Sequence, residues 1–136
     1  MTKDRIRRST CPINASLEVL GDRWSLLIVR DMLFAGAQTY KHFLASDEKI
    51  ATNILASRLT SLQKAGIITG EQNPQDGRSS RYRLTDKGLD LVPVLMELSA
   101  WGAKYEDGQP PHGILDAWRN DRASFIKSIA DAAAGP

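Results

Sequence analysis

The sequence predicts a mainly α-helical domain with one small antiparallel β-hairpin, and three observations lead to this prediction. Apolar residues recur at helical spacing through most of the chain, in segments separated by glycine, proline or a capping residue. One internal stretch instead has two short strand-like runs on either side of Asp76-Gly77, a dipeptide typical of hairpin turns. The length of 136 residues, with 42% hydrophobic and 25% charged residues, suits one globular domain with its own core.

The first three helices are predicted near the start of the chain. Cys11-Pro12 opens the first helix, because proline suits a first helical position, and Gly21 ends it. Asp22 is a suitable N-cap for the second helix, which contains the mostly apolar run RWSLLIVRDMLF and ends at Gly36. The third helix is short and has the sequence YKHFLAS.

The fourth segment, ATNILASRLTSLQKAG at 51–66, has the clearest helical pattern, and Gly66 is expected to end it as a C-cap. Its start is open, because Ala51 has no capping side chain and either Asp47 or Thr52 could serve. A step of about 100° per residue separates a buried stripe from an outward polar face without acidic residues. The stripe is Ile54, Leu55, Leu59 and Leu62, and the outward face is Asn53, Ser57, Thr60 and Lys64.

The hairpin and two further helical segments complete the chain. In the second strand Tyr82 and Leu84 alternate with Arg81 and Arg83, so the apolar pair should face inward and the arginines outward. Thr85 is a good N-cap for a long fifth helix, and DGQPPHG is a linker before a last amphipathic segment. The apolar positions of these two segments are Leu91, Leu95, Leu98 and Trp101, then Ile114, Trp118, Phe125 and Ile129.

A short helix, a longer helix and a two-stranded hairpin in direct succession are typical of a winged helix-turn-helix. We therefore predict a winged helix-turn-helix domain with flanking dimerisation helices. The expected organisation is a basic N-terminal arm at 1–10, the DNA-binding domain with its dimerisation helices at 11–108, and a linker with a C-terminal amphipathic helix at 109–136.

The charge distribution favours a polyanionic partner. The net charge is only +2, but residues 1–10 and 78–87 each carry a local excess of positive charge, whereas the chain beyond Met96 is acidic. Basic regions that are separated from an acidic tail suggest a polyanion bound on one side of the molecule.

The composition excludes several classes of function. A single cysteine, Cys11, allows no internal disulfide, and His42 and His112 give no zinc-ligand spacing, so we expect neither metal nor cofactor. No apolar run suits a transmembrane helix and the basic N-terminus leads into no signal region, so we expect a cytoplasmic protein without a membrane partner. An enzyme with Cys11 as nucleophile would need a base that neither histidine is placed to supply, so we expect no catalysis.

Three stretches, CPINASLEVLGDRWSLLIVRDML, ILASRLTSLQKAGII and RYRLTDKGLDLVPVLMELSAWG, together resemble the HxlR-type branch of the MarR-like bacterial winged helix-turn-helix regulators. The resemblance covers residues 10–105. It implies a homodimeric DNA-binding transcription regulator whose terminal helices form the dimer and whose fourth helix enters the major groove. Similar proteins often have a glycine and a serine before the fourth helix, where this chain has SDEKIAT.

The outward side chains of the fourth helix, at 51–65, are the candidates for reading DNA bases. Asn53 could pair bidentately with adenine, and Ser57 and Thr60 could reach base edges or phosphates. Thr52 and Lys64 are expected at phosphates. Arg58 lies nearer the buried side by angle and is either a phosphate contact or an internal ion-pair residue.

The wing at 73–83 would lie along the DNA backbone, where arginines neutralise phosphates and displace condensed counterions. The candidates are Arg78, Ser79, Arg81 and Arg83. The alternative is an edge strand that charge protects against aggregation.

Cys11 is a candidate redox or electrophile sensor. A thiol beside a helix N-terminus, with Arg7 and Arg8 nearby in sequence, has surroundings that favour the reactive thiolate. In some regulators that resemble this one, a cysteine at the Cys-Pro position senses oxidants or electrophiles. The alternative is a small capping or packing residue.

The leading hypothesis is a dimeric repressor that binds double-stranded DNA at a pseudo-palindromic operator. A small apolar molecule in a dimer cavity, or an oxidant, is a candidate effector. The alternative is a winged-helix module for protein contacts that binds no DNA. The residues expected at the dimer interface are Ile13, Leu17, Leu98, Trp101, Trp118 and Phe125.

Overall fold

The computed structural model describes residues 8–72 and 80–134 of the chain. Within these ranges it has eight helices and one two-stranded antiparallel sheet, which confirms the predicted fold class. Among the helices of the described residues, none has the length and apolar character needed to cross a membrane. The elements are α1 (Pro12–Leu20), α2 (Ser25–Phe34), α3 (Tyr40–Leu44), α4 (Thr52–Lys64), β1 (Ile68–Gln72), β2 (Ser80–Leu84), α5 (Asp86–Leu89), α6 (Val92–Tyr105), α7 (Ile114–Asn120) and α8 (Arg122–Ala133).

The first two helices begin close to the predicted positions. Cys11 occupies the N-cap position of α1, and Gly21 follows its last residue. Helix α2 begins later than predicted, at Ser25, so Trp24 and not Asp22 occupies its N-cap position. The Asp22 carboxylate still caps the start of α2, because it accepts hydrogen bonds from the backbone N–H groups of Trp24 and Ser25, both at 2.8 Å. This short side chain therefore satisfies backbone donors that a helix start leaves unpaired.

Helices α3 and α4 form the helix-turn-helix, and two details of α4 differ from the prediction. The N-cap position is Ala51, with no side-chain cap, so neither Asp47 nor Thr52 caps this helix. Leu55, together with Leu59 and Leu62, anchors α4 in the core, but Ile54 is 37% exposed and does not belong to the buried stripe. The reason is angular, since Ile54 lies about 100° from Leu55 around the helix axis.

The wing strands pair antiparallel, with Glu71 opposite Arg81 and Thr69 opposite Arg83. The backbone N–H of Tyr82 donates to the carbonyl oxygen of Gln38 at 2.8 Å, which ties β2 to the loop before α3. The side chain of Tyr82 is buried as predicted. The wing is therefore held to the helix-turn-helix through the backbone as well as through its apolar side chain.

The prediction of one long fifth helix is wrong. Thr85 does cap a helix, since its side chain accepts from the N–H of Gly88 at 3.2 Å, but α5 ends at Leu89 and α6 begins at Val92. Pro93 explains the break, because a proline has no backbone N–H and its ring would clash with the carbonyl of residue 89 in a continuous helix. Position 88 in α5 requires a glycine, because any Cβ there would collide with the carbonyl oxygen of Ile67.

The C-terminal segment folds back as two helices rather than one. Asp121 has an extended backbone conformation that ends α7, and its carboxylate caps α8 by accepting from the N–H of Ser124 at 3.1 Å. Helix α8 packs against α2, and α7 packs against α6. The helices that follow the linker thereby become part of the same core.

The placement of Trp118 and Phe125 at a dimer interface is corrected by this packing. Trp118 is 1% exposed and Phe125 is also buried, and their rings meet edge to face with centroids 5.7 Å apart. The Trp118 indole N–H donates to Glu97 on α6 at 3.2 Å. Because the chain's own helices cover both aromatic rings, neither ring is available to a second copy in this arrangement.

Candidate nucleic-acid interface

The outer face of α4 carries the polar side chains that could read DNA. The predicted residues of this helix, apart from Arg58, are all exposed, and α4 contains no aspartate or glutamate. Helix α4 packs against α2, α3 and β1, which leaves this face turned away from the core. The exposed candidates are Thr52, Asn53, Ser57, Thr60 and Lys64.

Arg58 is an internal ion-pair residue in this structure, so its assignment as a phosphate contact is corrected. Its Nη1 lies 3.3 Å from Oδ2 of Asp22, and both side chains are partly buried. Burial alone would raise the pKa of Asp22, but hydrogen bonds from Ser25 and from the Trp24 and Ser25 amides, together with the charge of Arg58, lower it. Arg58 therefore joins α4 to the cap of α2.

The predicted phosphate contacts of the wing differ in their surroundings. Arg81 is exposed, and its Nη1 donates to Oε1 of Gln38 at 2.9 Å, so it remains on the outer side of β2 as predicted. Arg83 is half-buried and lines a cavity of about 260 Å³ together with Ala133 near the end of α8, which makes it the weaker phosphate candidate. Arg78 and Ser79 lie outside the described residues.

Glu71 is a charged residue of the wing that was not predicted from the sequence as part of the site. It is exposed on β1 directly opposite Arg81 in the strand register. Directly opposed residues share one face of a hairpin with Cβ atoms about 5 Å apart. The carboxylate thus lies on the same face as Arg81 and would offset part of its positive charge. The sequence signal was the glutamate in EQ, which belongs to the strand predicted to pair with the strand that contains SR.

A partly buried cluster of charged side chains holds the turn between α3 and α4 against α2. The Arg30 guanidinium donates to both carboxylate oxygens of Glu48, at 2.9 and 2.7 Å, and from Nε to Asp31 at 2.9 Å. Ser46 donates to the same Glu48 carboxylate at 2.6 Å. The sequence carried a signal for this cluster, because an arginine inside the apolar run of α2 requires an acidic partner. Arg30 therefore acts as a positioning residue for α4.

The Glu48 carboxylate should make the free energy of unfolding depend on pH in the acid range. Hydrogen bonds from Arg30 and Ser46 lower its pKa from 4.5 to about 2. A lowered pKa in the folded state contributes stability above pH 4.5, and that contribution is lost as the pH falls from about 4.5 to about 2. Glu48→Gln should therefore cost about 1–2 kcal/mol of unfolding free energy near neutral pH, and the difference from wild type should shrink across this acid range.

Denaturant unfolding of both proteins at several pH values between 2 and 7 measures that difference. Asp47→Asn is a matched control, because Asp47 is an exposed neighbour that is outside the Arg30 cluster. A difference between Glu48→Gln and wild type that stays constant over the acid range would contradict the role assigned to Glu48.

Cys11 is exposed at the N-cap position of α1, and its backbone N–H donates to Oγ of Ser9 at 3.3 Å. Arg8 is exposed nearby, whereas Arg7 lies outside the described residues. The thiol is thus open to solvent at a helix start. His42 is exposed, and its Nδ1 accepts a hydrogen bond from the N–H of Gln38 at 3.0 Å.

An exposed apolar face runs over α1 and α6. Ile13 and Leu17 on α1 and Leu98 and Trp101 on α6 are exposed, with Trp101 at 57%. Two further members of this face, Val94 and Tyr105, were not predicted from the sequence, although both continue the helical spacing of α6. The rings of Trp101 and Tyr105 lie 5.6 Å apart.

In the part of the chain that the structure describes, no group of histidine, cysteine, aspartate and glutamate side chains is arranged to hold a metal ion. His112 is exposed in the segment between α6 and α7.

Comparison with known proteins places this arrangement in a family. A family model described as HxlR-like helix-turn-helix matches residues 19–110. The uncharacterised HTH-type transcriptional regulator YvaP of Bacillus subtilis is 32% identical over 98 residues, which are 71% of this chain and 90% of YvaP. The family-model match covers the helix-turn-helix, the wing and α6.

Solved structures give the same answer. The crystal structure of PA1607, a candidate transcription factor, is similar with 39% identity and a TM-score of 0.65, over 77% of this chain and 70% of that one. The reduced form of the transcriptional regulator YodB from B. subtilis is similar with 30% identity and a TM-score of 0.58, over 74% of this chain and 100% of YodB. These relatives are transcription regulators rather than enzymes. Because the family model spans well over half of the sequence, the chain belongs to the HxlR-like helix-turn-helix family of transcription regulators.

Proposed function

We propose that this regulator binds a pseudo-palindromic operator as a homodimer and represses transcription by occupying it. The observation that carries the proposal is the exposed, acid-free face of α4, with Asn53, Ser57 and Thr60 as the base-reading side chains. Side chains that donate and accept at short range suit the major groove, where each base pair presents a distinct pattern of donors and acceptors. An acidic residue on this face would be repelled by the DNA phosphates, and α4 has none.

The phosphate contacts are assigned to side chains around this face. Thr52 stands at the first position of α4 and Lys64 at the last, so they bracket the reading face. Arg81 adds an exposed guanidinium on β2 of the wing. The wing residues Arg78 and Ser79 keep the same proposed role, and Arg83 contributes less because it is half-buried.

The dimer is proposed to form through the apolar face of α1 and α6. Ile13, Leu17, Leu98 and Trp101 expose large apolar side chains on two neighbouring parts of one surface. Contiguous apolar surface of this kind marks a site of protein association. Two copies related by a two-fold axis would present two α4 helices, as an operator with half-sites about one turn of DNA apart requires.

Cys11 is proposed as the sensor of an electrophile or oxidant. The relative YodB has been solved in a reduced form and in a quinone-bound form. The Cys11 thiol is exposed at the N-cap position of the short helix that carries the proposed dimer residues Ile13 and Leu17. A covalent adduct on its sulfur would therefore stand beside the dimer contact and could change the spacing of the two α4 helices.

Selection of bound sequences from random duplex DNA, with and without a quinone, tests this function. We expect two related half-sites about 10–10.5 base pairs apart and a loss of binding after treatment that a Cys11→Ser variant resists. A monomer on a single half-site would overturn the dimeric arrangement. Complete absence of salt-dependent binding to any duplex would overturn DNA binding and favour a module for protein contacts.

Arg81→Ala should weaken binding to operator and to random DNA alike and reduce the salt dependence of affinity by about one charge. Glu71→Gln should act in the opposite direction, because it removes the carboxylate opposite Arg81. Affinity titrations over a range of salt concentrations measure both effects. Arg119→Ala, an equal charge change on the exposed surface of α7, is the control. A change in sequence preference with an unchanged salt dependence would contradict the phosphate role.

A further inference from the structure

Ile54 is an apolar side chain on the surface of α4 that the proposed function has not used. Its 37% exposure contrasts with Leu55, Leu59 and Leu62, which are at most 1% exposed and pack in the core. Ile54 is therefore a surface residue in the first turn of the reading helix.

The position of Ile54 also separates it from the proposed dimer face. The other large apolar side chains that the described residues expose lie on α1 and α6, with the exception of Leu44 at the end of α3. Helix α4 packs against α2, α3 and β1. A second copy docked on α1 and α6 would account for those other residues and leave Ile54 unexplained.

The neighbours of Ile54 belong to the reading face. Asn53 precedes it and Ser57 follows it by three residues, which places Ile54 at the edge of the polar face next to Ser57. The first turn of a recognition helix is the part that enters the major groove. There, an aliphatic group can neither hydrogen-bond a base edge nor bind a phosphate, but it complements the one apolar group that the groove offers, the C5-methyl of thymine.

We propose that Ile54 is a specificity-determining residue that selects a thymine in each half-site by covering its C5-methyl group. This inference rests on the proposed function, because it requires α4 to lie in the major groove. It differs from the roles of Asn53, Ser57 and Thr60, which would read hydrogen-bonding groups.

Replacement of thymine by deoxyuridine removes the methyl group alone and tests the proposal directly. The operator is first obtained by selection with the wild-type protein, and each thymine is then replaced symmetrically in both half-sites. At one position the replacement should weaken wild-type binding by about fourfold per half-site, which corresponds to one methyl group buried from water. Ile54→Ala should bind the two operators equally well, whereas Ile54→Val should retain most of the discrimination.

The design distinguishes this inference from the function on which it rests. Leu44→Ala, which removes a similarly exposed aliphatic side chain from α3, should discriminate deoxyuridine as the wild type does. Circular dichroism and thermal unfolding confirm that each variant is folded. If Ile54→Ala discriminates every replacement as strongly as the wild type, the role of Ile54 is overturned while DNA binding stands. If the wild type selects no operator, both proposals are overturned.

Discussion

Trp118→Ala should lower the free energy of unfolding by about 3–5 kcal/mol, the usual cost of deleting a large buried aromatic side chain. Trp118 is 1% exposed, packs edge to face on Phe125 and donates its indole N–H to Glu97. The Arg122 guanidinium lies 4.6 Å from the centre of its ring and pairs with the same Glu97 at 3.0 Å. The substitution therefore leaves a cavity and removes the hydrogen bond that joins α7 to α6.

Denaturant unfolding, followed by fluorescence and circular dichroism, measures this loss. Trp118→Phe is the graded control, because it keeps most of the apolar contact with Phe125 and removes the indole N–H, so its stability should lie between those of the wild type and of Trp118→Ala. If Trp118→Ala unfolded like the wild type but failed to dimerise, Trp118 would act at an interface between copies and its position in the core would be contradicted.

Leu98→Glu should convert the proposed dimer into monomers and weaken operator affinity by about a hundredfold or more. Leu98 is 51% exposed on α6 beside Trp101 and Ile13. In a two-fold symmetric interface the substitution introduces two carboxylates into apolar surroundings, and each costs several kcal/mol when it is desolvated without a partner. Each monomer can then bind only one half-site, so the operator affinity that comes from binding two half-sites at once is lost.

Analytical ultracentrifugation and operator titration measure the two consequences separately. Leu44→Glu is the matched control, since Leu44 is a comparably exposed leucine on α3 and its substitution should leave the dimer intact. Circular dichroism should show that the Leu98→Glu monomer keeps its helices. A Leu98→Glu protein that sediments as a dimer would contradict the assignment of α6 to the interface.

The sequence predicted elements well where one local rule was sufficient. The periodicity of α4 correctly separated Leu55 and Leu59 from the exposed Asn53 and Ser57, because those positions lie far apart around the helix axis. Side chains near the boundary between faces were harder. Arg58 could not be assigned by angle alone, and it is the Asp22 carboxylate, 36 positions away in sequence, that decides its role.

Tertiary packing accounts for the predictions that failed. The apolar spacing of Trp118 and Phe125 indicated that they are buried, but it cannot tell whether the covering surface belongs to the same chain or to a second copy. Pro93 was visible in the sequence, and the break before α6 shows that its missing N–H outweighed the helical spacing from Leu91 to Leu98. Ile54 was placed in the core because its residue type is apolar, although its angle already placed it at the edge.

The packing of α8 on α2 has a practical consequence for anyone who shortens this protein. The family match ends at residue 110, which makes that position an inviting place to cut. A fragment that ends there would lack Trp118 and Phe125 and would expose to water the apolar surfaces of α2 and α6 that α7 and α8 cover. Such a fragment should aggregate during purification. A reporter or an affinity tag should therefore be fused after α8 and should not replace it.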